Sequence, residues 1–431
     1  VNQVEPDSIA LRRAERRYQI EIKRNLSWNF AAQLFHGMLG QTGFRLINAP
    51  TFLPAYLMML SGGSEFIVGL ALSLQAFGMV LTPMVGANLI EHRKRVLPLG
   101  FFIGGLMRAT ILMIALSGLF LAGQSTLIAL LVCLTLLGLF QGMQGVIFNF
   151  LMSKVIPVSK RGRLTGLRNF LAGITSAIVA WLGGTYLIGD DPTAAGYSWT
   201  FLLAFVLTTI GLLSLLAMRE PEPPTVKQKR SLKQRFGDIP QLLRDDPAFT
   251  RYFLARSVAT MGRMSMPFYI LYAGQSIGLT GATLGIVTFA FTISGTFSNL
   301  IWGALSDRRG FRDTFLFSIA LWVASTLLLM SADGYLVTVL VFVGVGAAVQ
   351  GFQNASMNLT LEFGDREDLP VRIALANMAS EVAGTIGPLL GGLLAALWNY
   401  EAVFITSVVF LTIGGIVVRI YVPEPRRRMT T

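Results

Sequence analysis

Runs of about 20 or more apolar residues recur along most of this chain of 431 residues. Each is long enough to cross roughly 30 Å of hydrocarbon as a helix. No water reaches backbone N–H and C=O groups there, so a spanning segment must be a helix or part of a closed barrel. A barrel needs short strands alternating in hydrophobicity, and the sequence shows none. Composition agrees: 53% of residues are hydrophobic and 13% charged, against about 25% charge in a typical soluble chain. The expected fold class is an all-α membrane protein with twelve transmembrane helices. Those spans cover about 27–59, 64–90, 96–120, 126–152, 163–188 and 197–218, then about 250–275, 281–305, 314–331, 336–362, 371–396 and 402–421.

The net charge of +12 raises the prospect of nucleic-acid binding, but its distribution speaks against that. Basic residues collect in alternate loops: Arg93 to Arg95, Lys154 with Lys160 and Arg161, Lys227 to Arg235, Arg308 with Arg309 and Arg312, and Arg426 to Arg428. The opposite loops hold Glu65, Asp190, Asp191, Asp333 and Glu401. This asymmetry orients helical membrane proteins with the basic loops inside, so both termini are expected in the cytoplasm, of a bacterial inner (plasma) membrane. A nucleic-acid surface would cluster its charge instead. The resulting division is a cytoplasmic segment 1–25, a first six-helix bundle 26–218, a cytoplasmic linker 219–248, a second bundle 249–421 and a tail 422–431. The first segment is basic and amphipathic from Leu11 to Lys23, lacks the apolar core of a secretory signal and is expected to lie on the membrane face. The linker begins Pro-rich at Glu220 to Pro224 and is amphipathic from Leu232 to Leu243, either as a surface helix or as a plain tether. The lone Cys133 provides no disulfide framework.

The chain also repeats itself. Gln141, Gln144 and Asn149 reappear as Gln350, Gln353 and Asn358, each displaced by the same 209 positions (141 to 350, 144 to 353, 149 to 358). Each set is followed by an arginine and then a glycine pair: Arg163 with Gly183-Gly184, and Arg372 with Gly391-Gly392. Five matched features in one order indicate a duplicated unit and two pseudo-symmetric six-helix bundles.

Twelve spans in two halves joined by a long basic loop resemble the major facilitator superfamily of secondary transporters. The stretch Gly303 to Arg312, with Asp307-Arg308 and a second glycine at Gly310, is similar to that superfamily's loop signature. The first-half loop, Ala87 to Arg95, keeps an acid at Glu91 but has lost the Asp-Arg and the second glycine. The resemblance implies a central cavity lined by spans 1 and 7, alternating access, and a gate on the basic face. In that gate Glu91 would face the start of span 11 near Arg372, and Asp307 the start of span 5 near Arg163 and Arg168, with Arg308 and Arg312 beside them. An acid can cap the positive end of a neighbouring helix; the alternative is a turn whose charges only fix topology.

Ionisable side chains deep in hydrocarbon are costly and default to function. Arg45 lies near the middle of span 1, five residues before Pro50, and Arg263 lies deep in span 7, four before Pro267. Near-equivalent positions in the two halves would bring both into one chamber. A guanidinium fork suits phosphate or carboxylate, and the pair is similar to the site of organophosphate:phosphate antiporters in the same superfamily. Structural arginines satisfied by amides or carbonyls remain the alternative. Arg108 is expected to support packing and Arg256 to reach cytoplasmic water. Glu381, deep in span 11, is either the proton-coupling acid or a static ion-pair partner. Gln41, Gln141, Gln144, Gln350, Gln353, Asn358 and Tyr269 are candidate substrate contacts, while amides also hold membrane helices together. No phosphate-binding Gly-Lys-Ser/Thr loop is present, and two histidines with one cysteine offer no metal site, so no cofactor and no enzymatic activity are expected. The expected partners are a small, anionic molecule and membrane lipids, with the protein working as a monomer. Rival readings are a proton-coupled exporter of lipophilic drugs and a transporter-fold assembly or receptor protein without net flux.

Overall fold

The structure is a computed structural model and describes residues 6–90, 92–224, 239–331, 334–363 and 369–422. Regular structure among the described residues is entirely helical. Span 1 comprises Leu26–Asn48 and Phe52–Leu60. Spans 2, 3 and 4 are Glu65–Ile90, Leu97–Phe120 and Gln124–Val155. Span 5 is Val158–Leu182 running into the π-helical Gly183–Ile188, and span 6 is Ala194–Leu213 with a short 3-10 end. Span 7 is built from Pro247–Thr260, the 3-10 turn Met261–Ser265 and Met266–Ile277. Spans 8 to 12 are Gly281–Arg309, Phe311–Ser331, Tyr335–Leu361, Leu369–Leu397 and Tyr400–Tyr421. Ten of the twelve are single helices long and apolar enough to cross a membrane.

Spans 1 and 7 fall outside that set: Leu26–Asn48 is 23 residues long but too polar, the pieces of span 7 are too short at 14 and 12 residues, and both spans are broken near the middle. A residue preceding proline is driven out of the helical region, and Ala49, just before Pro50, is extended (φ −64°, ψ 140°). In span 7 the break is the 3-10 turn that ends at Ser265, two residues before Pro267. A further difference from the sequence reading lies between spans 4 and 5. The basic stretch expected there as a loop is helical on both sides of Pro157, with only Ile156 extended before it.

Small residues bring helices of each half together. Gly138 lies against the Gln75 carbonyl and Gly78 against Leu139 N, joining spans 2 and 4; Gly346 lies against the Phe291 carbonyl, joining spans 8 and 10. In lipid no hydrophobic force drives helices together, so such close approach supplies the packing energy. The repeated motif takes part: Gly142 abuts Thr82 and Gly351 abuts Trp302, while the neighbouring Gln141 and Gln350 are turned about 100° away round their helices.

The face carrying the basic loops is tied down by the segment after span 6. The Glu220 carboxylate accepts hydrogen bonds from Val96 N at 2.8 Å and Leu97 N at 2.8 Å, capping span 3, and pairs with Lys154. Asn29 donates to the Arg219 carbonyl at 3.0 Å and accepts from its N–H at 2.8 Å. The N-terminal helix Pro6–Arg24 docks nearby, its Tyr18 hydroxyl donating to the Lys154 carbonyl at 3.4 Å. Burial, aided by Glu15 and Glu220, pushes the Tyr18 phenol up from its ordinary value. The linker beyond, apart from the helix Ile239–Asp245, lies at 225–238, outside the described residues, as do the tail arginines Arg426 to Arg428 and Asp333.

Lys154 and Glu220 are 5% and 4% exposed, so removing one strands a buried charge. Glu220→Gln is expected to lower stability by about 3 kcal/mol, read as a lower thermal midpoint of the purified protein. Adding Lys154→Met should recover part of that loss.

Candidate functional site

The helix breaks place the two membrane arginines. Arg45 sits in the last turn before the Pro50 break and Arg263 inside the 3-10 turn before Pro267. Both line a single cavity of about 680 Å³ between the halves, a size within the range of small-molecule sites. Gln41, Gln141, Gln350, Gln353 and Glu381 line it too. Neither guanidinium has a hydrogen bond or an ion pair within 4.0 Å to another described residue. Arg263 is the charge that acts on the Glu381 carboxylate.

Asn48, Asn169 and Asn299, which sequence reasoning missed, complete the lining. The Gln41 amide donates to Asn169 Oδ1 at 3.0 Å, and the Gln75 amide donates to Asn48 Oδ1 at 2.7 Å. Asn299 accepts from the Asn354 amide at 2.7 Å. Asn169 follows Arg168 in span 5 and Asn299 follows Ser298 in span 8, so only an amide within a membrane span marked them. The remaining walls are apolar and aromatic, among them Phe44, Leu53, Met79, Met266 and Phe291.

Three candidate contacts lie elsewhere. Gln144, 3% exposed, is turned about 60° round span 4 from Gln141 and packs beside Gly104 of span 3. Asn358 is two turns farther along span 10 and donates its amide back to the Asn354 carbonyl at 2.9 Å. Tyr269 is buried in the second bundle, its hydroxyl linked to Ser265 at 2.8 Å, Thr326 at 2.6 Å and Trp322 at 3.1 Å. Arg108 supports packing as expected, donating to the Thr208 and Gly104 carbonyls. Arg256 is not in water: it is 8% exposed and donates to Thr360 Oγ1 and Ser380 Oγ, because spans 10 and 11 cover it.

The cavity is sealed on the face of the acidic loops. Spans 2 and 11 cross where Gly69 meets Gly392, and spans 5 and 8 cross where Gly184 meets Gly285. A Cβ at Gly69 would fall 2.9 Å from Gly392 Cα, and one at Gly184 2.6 Å from Gly285 Cα. The Gly281 N–H donates to the Gly189 carbonyl at 2.7 Å, Thr51 meets Thr288 at 2.6 Å, and the Tyr400 hydroxyl donates to Glu65 at 3.3 Å. All of these join one half to the other.

Toward the basic face the halves part. Phe170 and Phe297 meet edge-on at 5.7 Å; farther out, Leu167, Leu300 and Ile301 are exposed. The proposed gate residues are apart here. Asp307, Arg308 and Arg163 are exposed, and no ion pair joins Asp307 to Arg163. Arg372 is buried against Asp246 at 2.6 Å and lies 4.6 Å over the Phe249 ring. Arg312 donates to the Val422 carbonyl at 3.0 Å, and Arg168 packs beneath Gly37. Each of these three contacts stays within its own half. Glu91 lies outside the described residues.

Two matched six-helix bundles around a central chamber, closed at one end and parted at the other, define a membrane transporter. The chain belongs to the Major Facilitator Superfamily, whose profile matches residues 34–263 and again 252–431; it is thus a transporter and not an enzyme. It is similar to Multidrug resistance protein D of Escherichia coli, 24% identical over 185 residues, 40% of this chain and 46% of that protein. It is also similar to Azole resistance protein 1 of Saccharomyces cerevisiae, 25% identical over 31% of this chain and 21% of that protein. Each match thus spans less than half of the relative. Among solved structures, a mutant of the nucleoside transporter NupG aligns with a TM-score of 0.71 at 14% identity, covering 90% of this chain and 98% of that one. A bacterial homologue of the lysosomal transporter Spinster, inward-facing, aligns at 0.65 and 13%, covering 94% and 98%. At such identities these likenesses establish the fold.

The glycine crossings generate a direct test. Gly69→Val or Gly184→Val should wedge the acidic face open. Labelling of a cysteine placed at Leu53, applied from that face in a Cys133→Ser background, is then expected to run several-fold faster.

Proposed function

We propose that this chain is a secondary active transporter that moves an organic anion by alternating access across a bacterial inner (plasma) membrane. The basic face is the cytoplasmic one, so the structure is open to the cytoplasm. One observation carries the anion: two arginines at matched positions, each within five residues of the proline at its helix break, line one chamber with no hydrogen-bond or ion-pair partner among the described residues. Like charges near mid-membrane repel and are poorly solvated; a carboxylate or phosphate bound between them offsets both costs. Gln41, Gln141, Gln350 and Gln353 would then read the neutral part of the substrate.

Glu381 supplies the coupling. With its proton off, it partly neutralises the arginines and competes with the substrate for their charge. With its proton on, the chamber is more positive and favours an anion. Proton and anion therefore strengthen each other's binding, by the same factor in each direction, which suits their joint movement. Closure of the cytoplasmic face would bring Glu91 and Asp307 to the starts of spans 11 and 5, where Arg372 and Arg163 wait. Arg372 would have to share or leave Asp246 to take part.

A second reading is a proton-coupled exporter of lipophilic drugs. The apolar walls at Phe44, Met79, Met266 and Phe291 favour it, as do the drug-resistance relatives. In that case Glu381 recognises or exchanges against a cation and the arginines are structural.

Reconstituted liposomes under an imposed pH gradient separate the readings. Arg45→Gln and Arg263→Gln are each expected to weaken anion binding at least tenfold, the loss of a hydrogen bond to a charged group; full anion transport by both variants overturns the anion site. Anion binding should tighten as pH falls through the titration of Glu381, and Glu381→Gln should flatten that dependence. Export of a hydrophobic cation that fails only in Glu381→Gln would establish the exporter.

A further inference from the structure

Spans 9 and 12 leave a second space, on the outer wall of the second bundle. This groove measures about 700 Å³ and shares no lining residue with the central cavity. Its walls are Leu316, Phe317 and Val323 of span 9 and Gly415, Ile416 and Ile420 of span 12. Phe317, Ile416 and Ile420 are exposed, and their position on the outside of a membrane bundle turns them to lipid. Gly415 keeps the groove open: a Cβ there would only reach ordinary contact with Ile319, at 3.6 Å, whereas a longer side chain would fill the space.

The groove has one charged end. Arg309, from the last turn of span 8, and Arg419, from the last turn of span 12, line its mouth on the basic face. The Arg309 guanidinium lies 5.7 Å over the Phe317 ring, which holds its charge above the apolar floor. Asp313 is also at the mouth, its carboxylate 3.7 Å from Arg312 Nε, and no ion pair within 4.0 Å joins Arg309 or Arg419 to a carboxylate among the described residues. From Asp313 to Val323 the lining of span 9 extends about 15 Å along the helix. That is close to the depth of one leaflet, half of roughly 30 Å.

We propose that this groove is a binding site for an anionic glycerophospholipid of the basic-face leaflet. One acyl chain lies between spans 9 and 12, and the headgroup phosphate is held by Arg309 and Arg419. Charge complementarity selects the occupant. Basic pockets between transmembrane helices hold anionic headgroups, while a zwitterionic lipid would bring an ammonium group up to the same two cations. The site sits where spans 8, 9 and 12 converge, next to the end of span 8 that carries Asp307, so an occupied groove would brace that end of the second bundle.

The test uses purified full-length protein in a neutral detergent, titrated with phosphatidylglycerol, phosphatidylcholine or glycerol 3-phosphate, with bound lipid counted by native mass spectrometry. Phosphatidylglycerol should be retained in preference to phosphatidylcholine, and soluble glycerol 3-phosphate should not displace it. Arg309→Gln and Arg419→Gln should each weaken the preference about fivefold, and together about thirtyfold. Gly415→Leu, which keeps both charges but fills the groove, should abolish retention, while Gly415→Ala should preserve it. Equal retention of both lipids by the wild type would overturn the proposal, as would an undiminished preference in the double arginine variant or displacement by glycerol 3-phosphate. Should Gly415→Leu fail to fold, a phosphatidylglycerol with a photoreactive acyl chain decides: crosslinks on spans 9 and 12 support the site, and crosslinks only elsewhere overturn it.

Discussion

Two glycine crossings bear the whole arrangement. At Gly69 with Gly392, and again at Gly184 with Gly285, helices from opposite halves touch backbone to backbone. Lipid tails are as apolar as leucine, so the hydrophobic effect does not press these helices together; the attraction comes from close contact over a small area. Contact of that kind is sensitive to fit. A closed acidic face and a parted basic face are therefore what two such crossings produce when both lie toward one end of the bundle. The chamber between the halves is the space that the crossings leave unfilled.

The contents of the chamber follow from the proline breaks. A continuous helix buries its own polar backbone and presents only side chains, but a helix interrupted in the membrane must line a cavity or be covered by protein. Spans 1 and 7 are interrupted at corresponding depths, and each carries an arginine within five residues of its proline. The break and the charge thus call for the same polar surroundings, and one chamber serves both. Arg108 and Arg256 show the contrast. They too are arginines inside the protein, but each donates to carbonyls or hydroxyls of its own half, and neither lines the cavity.

The spans, the alternation of basic and acidic loops and the duplication were legible because they are properties of composition and order along the chain. Cavity positions were legible where polarity was extreme, as at Arg45, Arg263 and Glu381, and for some of the amides, as at Gln41, Gln350 and Gln353. Gln141 and Gln144 illustrate the boundary. They are alike in chemistry and three residues apart, yet one lines the chamber and the other packs against span 3. Tyr269 was equally ambiguous, an amphipathic ring whose hydroxyl found three partners in the second bundle. The Arg372 partner was opaque for another reason: Asp246 lies 126 residues away, at the other end of a chain path that no local pattern connects.

By itself, then, the sequence determined that this chain crosses a membrane many times as helices, in two related halves, with two arginines too deep to be incidental. Hydrocarbon imposes those features one segment at a time: each helix must be long enough, apolar enough and closed in its own hydrogen bonds. The tertiary structure alone decided which side of each helix meets lipid, which meets a neighbour and which meets the chamber. Hydropathy cannot separate the first two, because in a bilayer the solvent and the protein interior are equally apolar. Only the backbone approach at the glycine crossings fixes the rotation of the helices, and with it the residues that share the central space.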